Sequence, residues 1–273
     1  RLSVSLPVES ETLHIRDLSV NLNHHDTVTG SGLIALEAPF AYEGKLKADI
    51  RDLGIFHAFV GKPLGGALAL EWHGSGQISP LRNRGEGQLT LKDGRFDTVT
   101  QLEAEIAGRY SPEGVDFPTF RIRSALGGVE AALQLKGERL TVDPLRLTMG
   151  EKAVISGRLM LPLDLRTPEN PETLLPRDVP LEARLRLDPV ALRDLTLLRA
   201  PFSSPAPLPR KKAAPLPEGI VADELTAHGT LAAPVADLAL QLREFRLPES
   251  AKAPPAALDA ALHFEQNRLT LSG

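Results

Sequence analysis

The chain has 273 residues, 42% of them apolar but only 4% aromatic, and its formal net charge of −4 is spread along its length. That is apolar mass for one large domain or two ordinary ones, built from Leu, Val, Ile and Ala rather than from rings. The lack of a basic face argues against nucleic acid as a partner, and the lack of cysteine excludes disulfides, thiolate metal sites and cysteine nucleophiles.

Alternation of apolar and polar residues runs almost throughout, which predicts strands with one greasy and one wet face, paired antiparallel. Leu13, Ile15, Leu18 and Val20 open the pattern and step over Arg16-Asp17. Ala48, Ile50, Leu53 and Ile55 step over Arg51-Asp52, and Asp52 to Val60 predicts a short helix with Leu53, Phe56 and Val60 on one side. His73-Gly74 and then Pro80 predict a turn region, followed by a strand from Gly87 to Phe96 carrying Leu89, Leu91 and Phe96. Leu102, Ala104 and Ile106 mark the next strand, and Leu133 and Leu135 a later one. Leu140, Val142, Leu145 and Leu147 step over Asp143-Pro144. One extra residue at a fixed place is what a β-bulge or a strand-ending kink produces, and proline fits there because a central ladder cannot spare its N–H.

Ile155, Gly157, Leu159, Leu161, Leu163 and Leu165 stay in phase for eleven residues, and Leu181, Ala183, Leu185 and Leu187 alternate with Glu182, Arg184 and Arg186. Asp188 followed by Pro189 has the chemistry of an N-cap and a first helical position, so a short helix is predicted to about Leu198. Residues 167–180 and 201–217 read as insertions. The second is a proline-rich surface loop interrupted by Arg210-Lys211-Lys212, three charges that keep it soluble or touch acidic headgroups. His228-Gly229, Pro234 and the strand from Ala236 to Leu247, with Leu238, Leu240, Leu242 and a slip at Arg243-Glu244, repeat the earlier order. Leu258, Ala260 and Leu262 close it. The chain therefore reads as two copies of one unit, 11–136 and 138–273, with Leu13 answering Leu140 and Leu46–Ile50 answering Ala183–Leu187. A start at Arg1 and a stop inside a strand predict a fragment, with any targeting signal or membrane anchor outside it. No apolar run approaches the roughly 20 residues of a membrane-spanning helix.

The chain carries no G-x-S-x-G, P-loop, H-E-x-x-H or glycine-rich dinucleotide turn, so no catalytic residue, no cofactor and no metal site is expected. His24-His25-Asp26 is read as a polar turn, because neighbours on a strand point to opposite faces. His73 and His228 recur in both copies, as turn residues would. Asp49, Asp52, Glu103, Glu105 and Asp188 belong to the wet face or to helix starts. What remains is the apolar face. Covered by a second sheet it is a core, as in an adhesin or a stalk. Left open it must curl into a half-pipe to avoid aggregation, giving a trough that holds acyl chains at about 0.8 kcal/mol per buried methylene. The expected lining is Leu89, Leu91, Phe96, Leu133, Leu135, Leu140, Val142, Leu145, Leu147, Ile155, Leu159, Leu161, Leu238, Leu240 and Leu242.

The runs GTLAAPVADLALQLREFRL (229–247) and GEGQLTLKDGRFDTVTQLEAEIAGRYSPEGVDFPTFRIRSALGGVEAALQLKGERLTVDPLRLTMG (85–150) resemble the AsmA-like, TamB-type envelope proteins. The resemblance covers nearly the whole chain through degenerate motifs, namely glycine-started alternating strands and recurrent turns, and the proline-rich insertion departs from it. It implies a mostly β fold, a long antiparallel sheet curled as a β-taco, in a periplasmic part of an inner-membrane-anchored protein. It further implies a non-enzymatic groove carrying phospholipid toward the outer membrane, or a scaffold for outer-membrane β-barrel proteins.

Overall fold

The computed structural model describes residues 2–5, 8–9, 11–79, 82–164, 174–195, 218–246 and 254–273. It divides into two compact units, Arg1–Glu151 and Lys152–Gly273, whereas the sequence repeat divides near residue 137.

In the first unit, β1 (Leu2–Ser5) and β2 (Val8–Glu9) both pair with β3 (Thr12–Asn21). From there the chain is a meander, each strand antiparallel to the next. The order is β4 (Thr27–Ala35), β5 (Ala41–Ile50), β6 (Leu64–Gln77), β7 (Arg82–Phe96), β8 (Val99–Ser111), β9 (Gly114–Ser124), β10 (Gly127–Lys136) and β11 (Arg139–Met149). The second unit repeats the plan with β12 (Lys152–Pro162), β13 (Pro180–Ala191), β14 (Glu218–Thr230), β15 (Pro234–Arg246), β16 (Ala256–Glu265) and β17 (Arg268–Ser272). Among the described pairings of either unit none joins the first strands to the last, so each sheet is open rather than a barrel. The mostly antiparallel, repeat-built sheet read from period 2 is the fold.

Three of the four sequence slips are bulges. The extra residue lies at Arg16-Asp17 in β3, at Asp143-Pro144 in β11 and at Arg243-Glu244 in β15. The fourth, Arg51-Asp52, ends β5. The Asp52 carboxylate there accepts the Gly54 N–H at 2.8 Å and caps a 3-10 turn (Leu53–Phe56) that runs into α1 (His57–Val60), stopped by Gly61 at φ +70°. Leu53 and Phe56 are half-buried against the sheet, but Val60 is exposed and does not share their side. Asp188-Pro189 is not a helix start. It is a bulge inside β13, the same Asp-Pro device as in β11, and α2 (Leu192–Leu195) begins only afterwards. The proline has no N–H to lose at a position the ladder skips, so the dipeptide suits a bulge as well as a helix N-terminus. The predicted continuation to Leu198, Leu165, Pro80, Leu247 and the loop 201–217 with Arg210-Lys211-Lys212 lie outside the described residues, as does the first half of 167–180.

His73 and His228 sit inside β6 and β14 rather than in turns. His24 and His25 are exposed in the loop between β3 and β4, which Asp26 closes. Asp26 is 0% exposed. Its carboxylate accepts from the Asn23 side-chain amide and from the Arg51 N–H at 2.6 Å, while Asn23 Oδ1 accepts from the His25 and Asp26 N–H groups at 2.8 and 2.7 Å. A turn of apparently surplus polar residues thus ties the end of β5 to the start of β4. Removing a buried acceptor strands its donors, so Asp26→Ala is expected to cost about 2 kcal/mol in urea unfolding. The double change His24→Ala, His25→Ala is expected to leave the midpoint where it is.

Candidate functional site

Register converts the alternating strands into rows. Val20, Val28, Ala48, Leu70, Leu89, Ile106, Phe120, Ala131 and Leu145 face one another strand by strand across the first unit. The adjacent row is Ile50, Leu68, Leu91, Ala104, Ile122, Val129 and Leu147. Leu133 pairs with Val142 and Leu135 with Leu140 in the same phase. Nine of the expected lining residues (Leu89, Leu91, Phe96, Leu133, Leu135, Leu140, Val142, Leu145 and Leu147) therefore share one face of this unit. In the second unit Ile155 pairs with Leu187 and Leu159 with Ala183. Leu238, Leu240 and Leu242 pair with Leu225, Asp223 and Val221, and Leu161 follows Leu159 in phase.

Most of these side chains are half-buried. Leu135 and Val142 are buried, whereas Phe96 at 41% and Leu161 at 36% lie at strand ends. Lys62 Nζ stands 5.7 Å over the Phe96 ring. A sandwich core buries its leucines fully, and within the first unit every described strand is already used in one meander, so that unit supplies no second sheet for this face.

One patch of the same face departs from the aliphatic rows. Trp72, Tyr42 and Tyr110, the chain's only Trp and Tyr residues, lie in phase with Leu70, Leu46 and Ile106 on β6, β5 and β8. Around them the floor is glycine. A Cβ on Gly74 would lie 2.4 Å from Trp72 Cζ2, one on Gly85 would lie 2.9 Å from Tyr110 Oη, and one on Gly108 would lie 2.2 Å from Phe117 Cδ1. The rings occupy space that neighbouring side chains have vacated, an arrangement that fills glycine gaps in a sheet. Trp72 Nε1 donates to Tyr110 Oη at 3.2 Å. Burial, followed by the nearby Tyr110, pushes the Tyr42 phenol above its ordinary range. Composition made the aromatics look scarce; register makes them converge. The G-x-G spacings Gly74/Gly76 and Gly85/Gly87, in apolar phase, were the available signal.

The opposite face is a lattice of exposed and half-buried ion pairs between directly opposed residues: Lys47–Glu71 at 2.6 Å, Arg109–Asp116 at 2.7 Å, Arg121–Glu105 at 2.9 Å and Arg121–Glu130 at 3.1 Å. Hydrogen bonds from Arg123 and Arg121 lower the Glu130 pKa, and the Glu71 bond raises that of Lys47. Each such pair adds little stability, and together they fix solubility and register. Two open concavities of about 920 and 650 Å³ lie on this charged face of the first unit, the larger framed by Lys45, Lys47, Glu71, His73, Glu86 and Arg109. Neither is lined by the leucine rows. Their mixed charges neutralise one another, and none joins a nucleophile to a base. Asp49 and Glu103 are exposed on the strands, and Asp188 pairs with Arg186 at 3.3 Å. No group of three or more potential metal ligands exists among the described residues, and none of their helices is long and apolar enough to cross a membrane. No family model, curated protein or solved structure matches the chain.

Two outcomes follow from these faces. Gly74→Ala is expected to expel the Trp72 ring, red-shifting the chain's single tryptophan emission and lowering the unfolding midpoint. On the charged face, His263 Nδ1 lies 2.7 Å from Asp237 Oδ1, and that bond raises the His263 pKa above 6.5. Its contribution to stability is fully present below the unfolded-state value and is lost as pH rises through the folded one. NMR titration of Asp237→Asn is expected to bring His263 back down.

Proposed function

We propose that the apolar strip is a groove for phospholipid acyl chains, in a non-enzymatic segment of a periplasmic envelope protein of the AsmA-like, TamB type. The chain would carry lipid between the inner and outer membranes and depend on an anchor elsewhere in the parent protein. The observation that carries this reading is the run of in-register aliphatic rows across the first unit, half-buried and without a second sheet of the same unit to cover them. An acyl chain laid along such a row gains about 0.8 kcal/mol per methylene removed from water and needs no directional contact, so it can shift along the strip at little cost. The aromatic patch supports the same reading, because Trp and Tyr suit places where an apolar body meets a polar tip. Tyr110 Oη accepts from Trp72 and keeps its own hydrogen to donate.

A photocrosslinker at Leu133 or Leu159 is expected to capture phospholipid in cells. Because Trp72 is the only tryptophan, bromine-labelled phospholipid is expected to quench the emission of the purified chain. Capture of nascent outer-membrane β-barrel strands alone, with no lipid and no quenching, would replace the conduit by the scaffold reading.

A further inference from the structure

One residue breaks the apolar rows of the second unit. Asp223 on β14 is in the phase of Val221, Leu225 and Ala227, and faces Leu187 on β13 and Leu240 on β15. The side chains next along those strands in the same phase are Leu185 and Val190 on one side, Leu238 and Leu242 on the other. All are aliphatic. Of the charged residues on the flanking strands, Asp188, in the bulge beside Leu187, pairs with Arg186, and Arg243 pairs with Asp259. The Glu224 N–H serves the Asp223 carboxylate, but its Oδ1 is buried with no hydrogen-bond partner among the described residues. Burial accordingly pushes its pKa above the ordinary aspartate value. When His228-Gly229 is aligned with His73-Gly74, Asp223 takes the place of Leu68, which completes the aliphatic row of the first unit. By that alignment the first unit carries leucine at the equivalent place, and a carboxylate left with an unpartnered buried oxygen costs stability here.

We infer that Asp223 is a headgroup-recognition site within the strip, where its unpartnered carboxylate oxygen receives the ammonium of an aminophospholipid whose acyl chains lie on the flanking leucine rows. A cation is the complement such an oxygen lacks, and an anionic headgroup would meet a like charge. This inference rests on the acyl-groove reading and adds selectivity to it.

The test uses the full chain with a photocrosslinker at Leu240, incubated with vesicles of equal phosphatidylethanolamine and phosphatidylglycerol, in wild type, Asp223→Asn and Asp223→Leu. A crosslinker at Leu89 in the first unit serves as the reference. Wild type is expected to capture phosphatidylethanolamine over phosphatidylglycerol by about five-fold at Leu240, a preference worth roughly 1 kcal/mol. Both variants are expected to fall to the ratio found at Leu89. Asp223→Leu is also expected to unfold at a higher urea concentration than wild type; should it fail to fold, the isosteric Asn variant decides. An unchanged ratio in the variants, or no preference in wild type while lipid is still captured, overturns the headgroup site and leaves the groove standing. Capture of lipid at neither position overturns both.

Discussion

Everything in this molecule depends on keeping strand phase across an antiparallel ladder. A one-residue slip in any strand would turn its leucines to water and its charges to the apolar side, so each bulge has to be matched by the sequence that carries it. The chain does this by spending two polar or proline residues where the ladder takes one extra at Arg16-Asp17, Asp143-Pro144 and Asp188-Pro189. Leu18 and Val190 return to the apolar face after the bulge because of that compensation. The bulges bend and twist the strands without breaking the rows.

The two faces solve different problems with the same register. On the charged side, opposed Lys, Arg, Glu and Asp pair across strands and suppress edge or face association. On the apolar side, aliphatic rows give way to glycine overlaid by Trp72, Tyr110 and Phe117. There the bulky rings restore contact that the missing Cβ atoms removed. A twisted sheet is concave in one direction on each face. Long charged side chains frame open space between them on the wet side, where the two concavities of about 920 and 650 Å³ lie.

The described polar groups of the molecule are spread over a surface. Its ion pairs lie across the strands of the polar face, and Asp26, wholly buried, is committed to backbone and amide donors that close a loop. Against that background Asp223 stands out, since burial raises its pKa and its Oδ1 has no hydrogen-bond partner among the described residues.

Period-2 alternation by itself determined the strands, their antiparallel pairing and the side each leucine would take, because side-chain direction in a strand is set by residue parity alone. The slips were legible for the same reason: a bulge changes parity, and Leu140, Val142, Leu145 and Leu147 record the change. Asp188-Pro189 misled because its local chemistry serves a helix start and a bulge equally, and only pairing with β14 decides between them. The convergence of Tyr42, Trp72 and Tyr110, and the placing of Asp223 between Leu187 and Leu240, depend on which residues stand opposite across strands. That register is a property of the assembled ladder and of its bulges, not of any one segment, so the tertiary structure alone could decide it.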